Sequence, residues 1–199
     1  DAPVVFEGDT ADVAVNGYVS RHRGHVLEWR RRALSFYTSS RMVRSVDSEG
    51  NPLSDWFNID EVIPNDSDVF QFADRLLIEL KSDWLHHSSG SLLSVGLEDL
   101  MQKGKEASTF PLFTPSARVS LSSITRTKNF LVVKALDNVK SHMTFWTLDE
   151  DGGGKWSQHS SEEEPSVQAR SLRAIDNDES DDIFFTVSSS SSLSAPRCK

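Results

Sequence analysis

The chain has 199 residues, 37% hydrophobic and 26% charged, a composition that fits a folded, soluble protein and excludes a disordered one. Its net charge of −9 disfavours non-specific binding to nucleic acid or to an anionic membrane. No apolar run approaches the ~18 residues of a membrane span, and the single cysteine, Cys198, excludes an internal disulfide and fits a reducing compartment, the cytoplasm.

The N-terminus has no basic segment followed by an apolar one, so it does not read as a signal peptide. It does not begin with Met, as expected of a processed, trimmed or internal piece. Val4–Phe6 reads as a short strand closing a preceding unit. Asp12–Gly17 alternates polar and apolar residues and ends in a turn dipeptide, Asn16-Gly17. Val26–Trp29, Leu34–Tyr37 and Met42–Val46 are strand candidates, Asp47–Pro52 is a turn, and Trp56–Ile59 completes the group.

A second group begins with Asp68–Phe72. It continues with the buried-strand run Leu76–Leu80, which Ser82-Asp83 stops before Trp84. His86–Gly90 is a loop and Ser91–Val95 a strand. Leu97–Gly104 reads as a short helical turn, and Phe110–Phe113 is a strand broken by Thr114-Pro115. The third group holds Arg118–Leu121, Phe130–Leu136, Met143–Leu148, a Gly152–Gly154 turn and Trp156. The fourth holds Val167–Leu172 and Ile183–Val187, then passes into the low-complexity run Ser188–Ser192.

The groups start near Asp12, Asp68, Arg118 and Ser166, at intervals of 56, 50 and 48 residues. Four short strands at such a period point to all-β architecture and a partial β-propeller of about three to four four-stranded blades. One small sheet cannot bury both faces, and radial stacking buries them while leaving only short edges. A β-sandwich is the competing reading.

Asp68–Trp84, Gly90–Ser94, Leu112–Pro115 and Phe130–Trp146 resemble, in order, the propeller domain of prolyl oligopeptidase-like serine peptidases. Val5–Gly8, Phe36–Thr38, Glu179–Asp182 and Phe185–Ser188 fit the same order. The resemblance covers residues 4–188 and stops at the serine run, leaving 189–199 as a low-complexity tail expected to be disordered. It implies a seven-bladed propeller capping an α/β-hydrolase domain that carries a Ser-Asp-His triad. The propeller would restrict access to peptides. The implied partners are that catalytic domain and peptide substrates, with no nucleic acid and no membrane. The chain would be the substrate-gating part of a serine endopeptidase and inactive alone. The alternative is a stand-alone propeller that binds proteins or peptides.

The residues offer little chemistry of their own. A nucleophile elbow needs Gly-x-Ser-x-Gly, and the sequence has none. His86-His87 on an extended segment would point to opposite sides, away from a shared metal. His22 and His25 sit among Arg21 and Arg23 and read as exposed loop residues. Asp176–Asp182 begins like a calcium loop but lacks the Gly at its sixth position and the Glu at its twelfth, where Val187 stands. It and Glu162–Glu164 read as solvated loops, although a metal- or calcium-dependent module is a further alternative. Arg30–Arg32, with Arg21, Arg23 and Trp29, is too local a cluster for nucleic acid in an acidic chain, and is expected at a strand edge or rim. Asn65-Asp66-Ser67 matches the glycosylation pattern without a secretory context. Trp84, Trp146 and Trp156 read as packing residues between sheets. Catalytic, cofactor-binding and metal-ligating residues are each assigned as none, and no cofactor is expected.

Overall fold

The computed structural model describes residues 4–138, 140–149, 154–160 and 169–187. The expectations for Gly152 and Gly153, Glu162–Glu164, Val167, Ser188–Ser192 and the tail with Cys198 concern residues outside that set. The described residues are all-β apart from one α-helix and two single 3-10 turns. The chain divides into two compact units, whose boundary in the sequence falls after Pro111.

In the first unit, β1 (Ala14–His22), β2 (His25–Ala33), β3 (Ser39–Val46) and β4 (Phe57–Asn58) form an antiparallel meander. Asn16-Gly17 is not its turn. Both residues lie within β1, opposite Arg31 and Arg30. The chain reverses instead at Arg23 and Gly24, with φ of 51° and 81°. A two-residue turn with both positions left-handed matches the twist of the flanking strands, and Gly24 adopts it without a Cβ penalty. Nine paired residues on each strand outweigh the local turn preference of Asn16-Gly17.

Leu34–Tyr37 is a loop rather than a strand. The Ser35 hydroxyl accepts the N–H groups of Tyr37 at 3.1 Å and Thr38 at 3.0 Å, which folds the segment into a turn. Phe36 and Tyr37 are left 90% and 86% exposed. Val4–Phe6 also forms no strand.

The second sheet is β5 (Asp68–Phe72), β6 (Arg75–Glu79), β7 (Leu92–Gly96) and β8 (Thr109–Phe113), again paired in chain order. Between β7 and β8 lies α1 (Leu97–Lys103), at the expected place, ended by Gly104 at φ 57°. Leu76, Ile78 and Leu80 alternate onto one face and join Leu93 and Val95. They share a core with Leu27, Trp29 and Val43 of the first sheet. Leu77 and Leu92, on the opposite face, are equally buried, so β6 reads as a continuous apolar run rather than an alternation. Each fully buried Leu or Ile here contributes roughly 1.5–3 kcal/mol. The first strands of the two sheets, β1 and β5, lie side by side.

In the second unit, β9 (Val119–Arg126), β10 (Phe130–Asp137), β11 (Lys140–Asp149) and β12 (Lys155–Ser160) form a third meander. The strands β13 (Ala169–Ala174) and β14 (Ile183–Val187) pair with each other, and β13 lies beside β9. The sheets begin at Ala14, Asp68, Val119 and Ala169, close to the group starts expected from the sequence. Repeated antiparallel four-stranded meanders are consistent with a propeller-like fold.

Candidate functional site

The seam between β1 and β5 is built from polar side chains, with His22 and Gln71 buried and Ser20 half-buried. The Trp29 indole N–H donates to Ser20 Oγ at 2.8 Å, and the Ser20 hydroxyl donates to Gln71 Oε1 at 2.5 Å. The Gln71 amide in turn donates to the carbonyls of His25 at 3.1 Å and Ala73 at 3.0 Å. His22, 1% exposed, accepts the Ala73 N–H on Nδ1 at 2.9 Å, and its ring packs 4.5 Å from that of Phe72. His22 is thus an interior residue. The expectation of an exposed loop histidine fails because the reversal at Arg23-Gly24 turns its side chain into the seam.

Arg41, from β3, holds the loop that leads into β5. Its guanidinium donates to Asp60 Oδ1 at 2.6 and 2.9 Å, to the Pro64 carbonyl at 3.1 Å and to the Ser67 carbonyl. Its backbone N–H donates to the other Asp60 oxygen. Both side chains are nearly buried, and every charge in the pair has a hydrogen-bonded partner, the condition under which a buried ion pair is tolerated. Beside this clamp opens a recess of about 110 Å³, lined by Tyr18, Trp29, Tyr37 and Arg31 and by the carboxylates of Asp66 and Asp68. Tyr18 and Trp29 stack at 5.8 Å with their planes 6° apart.

The arginine run does not lie at a strand edge. It occupies β2, inside the first sheet, and alternates between its faces. Arg32 makes a two-pronged pair with Asp12 at 2.6 and 3.1 Å. Arg30 lies 4.0 Å from the Trp56 ring centre and 5.4 Å from that of Phe6, and Arg44 lies 4.5 Å from the same Trp56 ring. Arg31 faces the recess. The three cations therefore have three separate uses, and no continuous basic stripe forms from them.

His86 and His87 do not point apart. Leu85, at φ 53°, and His86 form a tight turn between Trp84 and His87, which brings the two rings to 4.0 Å. His87 contacts Thr109 Oγ1 at 3.1 Å, and burial, then the neighbouring His86, lowers its pKa. Among the described residues, no group of three or more His, Cys, Asp or Glu is placed to hold a metal ion. In Asp176–Asp182, Asp176 Oδ1 accepts the N–H groups of Asp178 at 2.9 Å and Glu179 at 3.2 Å. Asp181 accepts three hydrogen bonds at 2.7 Å, from the Thr127 hydroxyl and from the backbone and side-chain amides of Asn129. These carboxylates close a turn and tie it to the β9–β10 reversal.

Ser82 and Asp83 are turn residues. Ser82 Oγ donates to Asp66 Oδ1 at 3.1 Å, and Asp83 Oδ1 accepts the Ser89 N–H at 2.8 Å. Trp84 is in the core between the two sheets of the first unit and donates its indole N–H to the Val62 carbonyl at 3.1 Å. Trp146 and Trp156 are buried in the second unit. Ser67, of the Asn65-Asp66-Ser67 pattern, is 4% exposed. Sequence reasoning missed Ser20, Gln71, Arg41 and the recess. The available signal was weak: a glutamine between Phe70 and Phe72 in an otherwise apolar strand.

No helix among the described residues is long and apolar enough to cross a membrane. No protein-family model and no curated protein matches the sequence. Among solved structures, the chain is similar to a post-proline cleaving enzyme from Rickettsia typhi, with a TM-score of 0.70 and 18% identity. The match covers 92% of this chain and 26% of that one, so this chain spans about a quarter of the enzyme's length. At the level of fold, the likeness agrees with the resemblance read from the ordered sequence motifs.

Proposed function

We propose that residues 4–188 are a partial β-propeller, the substrate-gating portion of a prolyl oligopeptidase-like serine endopeptidase, with 189–199 as a tail. One observation carries this reading. Sheets that pair in strict chain order, with first strand beside first strand (β1 with β5, β9 with β13), match most of this chain to a limited part of a post-proline cleaving enzyme. The lack of Gly-x-Ser-x-Gly in the 199 residues supports a part that does no chemistry itself. In the whole protein, an α/β-hydrolase domain would supply the nucleophile, and this part would admit peptides and exclude folded proteins. We assign the protein to the cytoplasm on the strength of its single cysteine.

The test is the intact coding region and its product. We expect a downstream Gly-x-Ser-x-Gly pattern, hydrolysis of a short fluorogenic peptide by the full product, and none by the 199-residue chain. An intact transcript without a hydrolase pattern would sink the peptidase reading and leave the stand-alone binding propeller. A calcium- or metal-dependent module predicts a melting midpoint lowered by chelator, and an unchanged midpoint dismisses it.

A further inference from the structure

The turn between β5 and β6 is gripped from β1. Ala73 is fully buried and sits at φ 52°, a left-handed conformation that a Cβ disfavours. Side chains hold both of its backbone groups. Its N–H donates to His22 Nδ1 at 2.9 Å, and its carbonyl accepts from the Gln71 amide at 3.0 Å. Gln71 also accepts from the Ser20 hydroxyl and donates to the His25 carbonyl, so the turn and the β1–β2 hairpin form one hydrogen-bonded unit.

This contact fixes the state of the ring. A nitrogen that accepts a backbone N–H carries no proton, so His22 is neutral with its hydrogen on Nε2. An imidazolium has a hydrogen on both nitrogens. It would set an N–H against the Ala73 N–H and place a charge on a ring that is 1% exposed and packed 4.5 Å from Phe72. The ionisable groups around this corner come from several elements. Arg21, Arg23 and His25 belong to the hairpin. Asp74, in the turn, lies 3.9 Å from Arg75 of β6. On α1, Glu98 accepts from Gln102 at 3.0 Å, and Asp99 pairs with Lys103 at 2.5 Å. Asp47, after β3, accepts from the Asn51 amide at 2.8 Å. His25 shares a hollow with Asp47, Asp74 and Glu98, so its titration is a second pH effect at the same corner.

We propose that His22 is an acid-sensitive latch between the first two sheets: neutral, it holds the β5–β6 turn to β1, and protonated, it lets that corner open. The closed seam excludes the proton and the open seam accepts it. Closure is therefore at full strength above the ordinary histidine range, about 6.5, and weakens as pH falls below it. The inference stands apart from the peptidase reading, because no catalytic domain takes part. Its test uses the whole 199-residue chain. Hydrogen exchange of the Ala73 amide, followed by NMR and divided by the rate of unstructured chain at each pH, reads the opening. Protection of Ala73 should fall about tenfold between about pH 7.5 and about pH 5.5, while that of Ile78 within β6 holds. His22→Asn sets an amide oxygen near the place of Nδ1 and does not titrate, so its Ala73 protection should be flat with pH. His25→Asn should behave as wild type. The ring-nitrogen shifts of wild-type His22 should show Nδ1 bare and Nε2 protonated at about pH 7.5, a reading that needs no variant. A flat wild-type profile, a fall that persists in His22→Asn or vanishes in His25→Asn, an equal fall at Ile78, or a proton on Nδ1 at neutral pH would each overturn the proposal.

Discussion

Arg41 shows how much one side chain can hold in this fold. Its guanidinium joins β3 to Asp60, Pro64 and Ser67, residues that no local pattern connects to it. Replacing Arg41 with Ala leaves the nearly buried Asp60 carboxylate and two carbonyls without their donor. Breaking such a pair costs about 3–5 kcal/mol, so urea unfolding should show a large loss for the Arg41→Ala chain. A change below about 1 kcal/mol would mean that water replaces the guanidinium. Asp181 gives a pH-dependent counterpart. Its burial pushes the carboxyl pKa up, but the hydrogen bonds from Thr127 and Asn129, with the charge of Lys128, outweigh it, and the net shift is downward. A lowered carboxyl pKa contributes stability that is fully present above the ordinary carboxylate range and is lost as pH falls through the lowered value. Wild type and Asp181→Asn should therefore melt apart at neutral pH and converge only as pH falls below the ordinary carboxylate range and through the lowered Asp181 value. A constant gap across that range would show that Asp181 acts by shape alone.

At the scale of elements, β6 was legible and the β1–β2 hairpin was misplaced. Leu76–Leu80 is apolar on both faces and stopped by a polar turn, so composition alone marked it as interior. Asn16-Gly17 carried the stronger local turn signal, yet the turn formed at Arg23-Gly24. Local preference is worth a fraction of a kcal/mol to about 1 kcal/mol per position, and tertiary pairing over nine residues overrides it. The turn residue that matters is then Gly24. Gly24→Ala forces a Cβ into a φ of 81° and should cost about 1 kcal/mol, measured as a shift of the denaturation midpoint. Gly17 sits in strand geometry with only the Trp29 carbonyl oxygen, at 3.8 Å, near its missing Cβ. Gly17→Ala should be neutral or slightly stabilising, and the opposite ranking of these two variants would put the reversal back at Asn16-Gly17.

At the scale of the whole chain, the described sheets expose apolar surface at their ends. Val15, Tyr18 and Val19 on β1 are 40–46% exposed, and Phe184 on β14 is 51% exposed. The β13–β14 sheet has only two strands among the described residues. Exposed strand edges with apolar neighbours pair with other chains. The isolated 199-residue chain should therefore self-associate in sedimentation velocity or unfold at low denaturant. A clean monomer with a sharp, reversible melt would count against an incomplete ring.

The sequence by itself determined the all-β class, the spacing of the sheets, the position of α1 and the burial of the Leu76–Leu80 strand. All of these follow from the period and composition of short segments, which act on neighbours in the chain. Only the tertiary structure decided that His22 is interior, that Ser20 meets Gln71 across 51 residues, and that Arg41 clamps Asp60 beside an open recess. Those contacts depend on which strand lies beside which. A polar residue in a strand reads the same on paper whether it faces water or a partner brought to it by the next sheet.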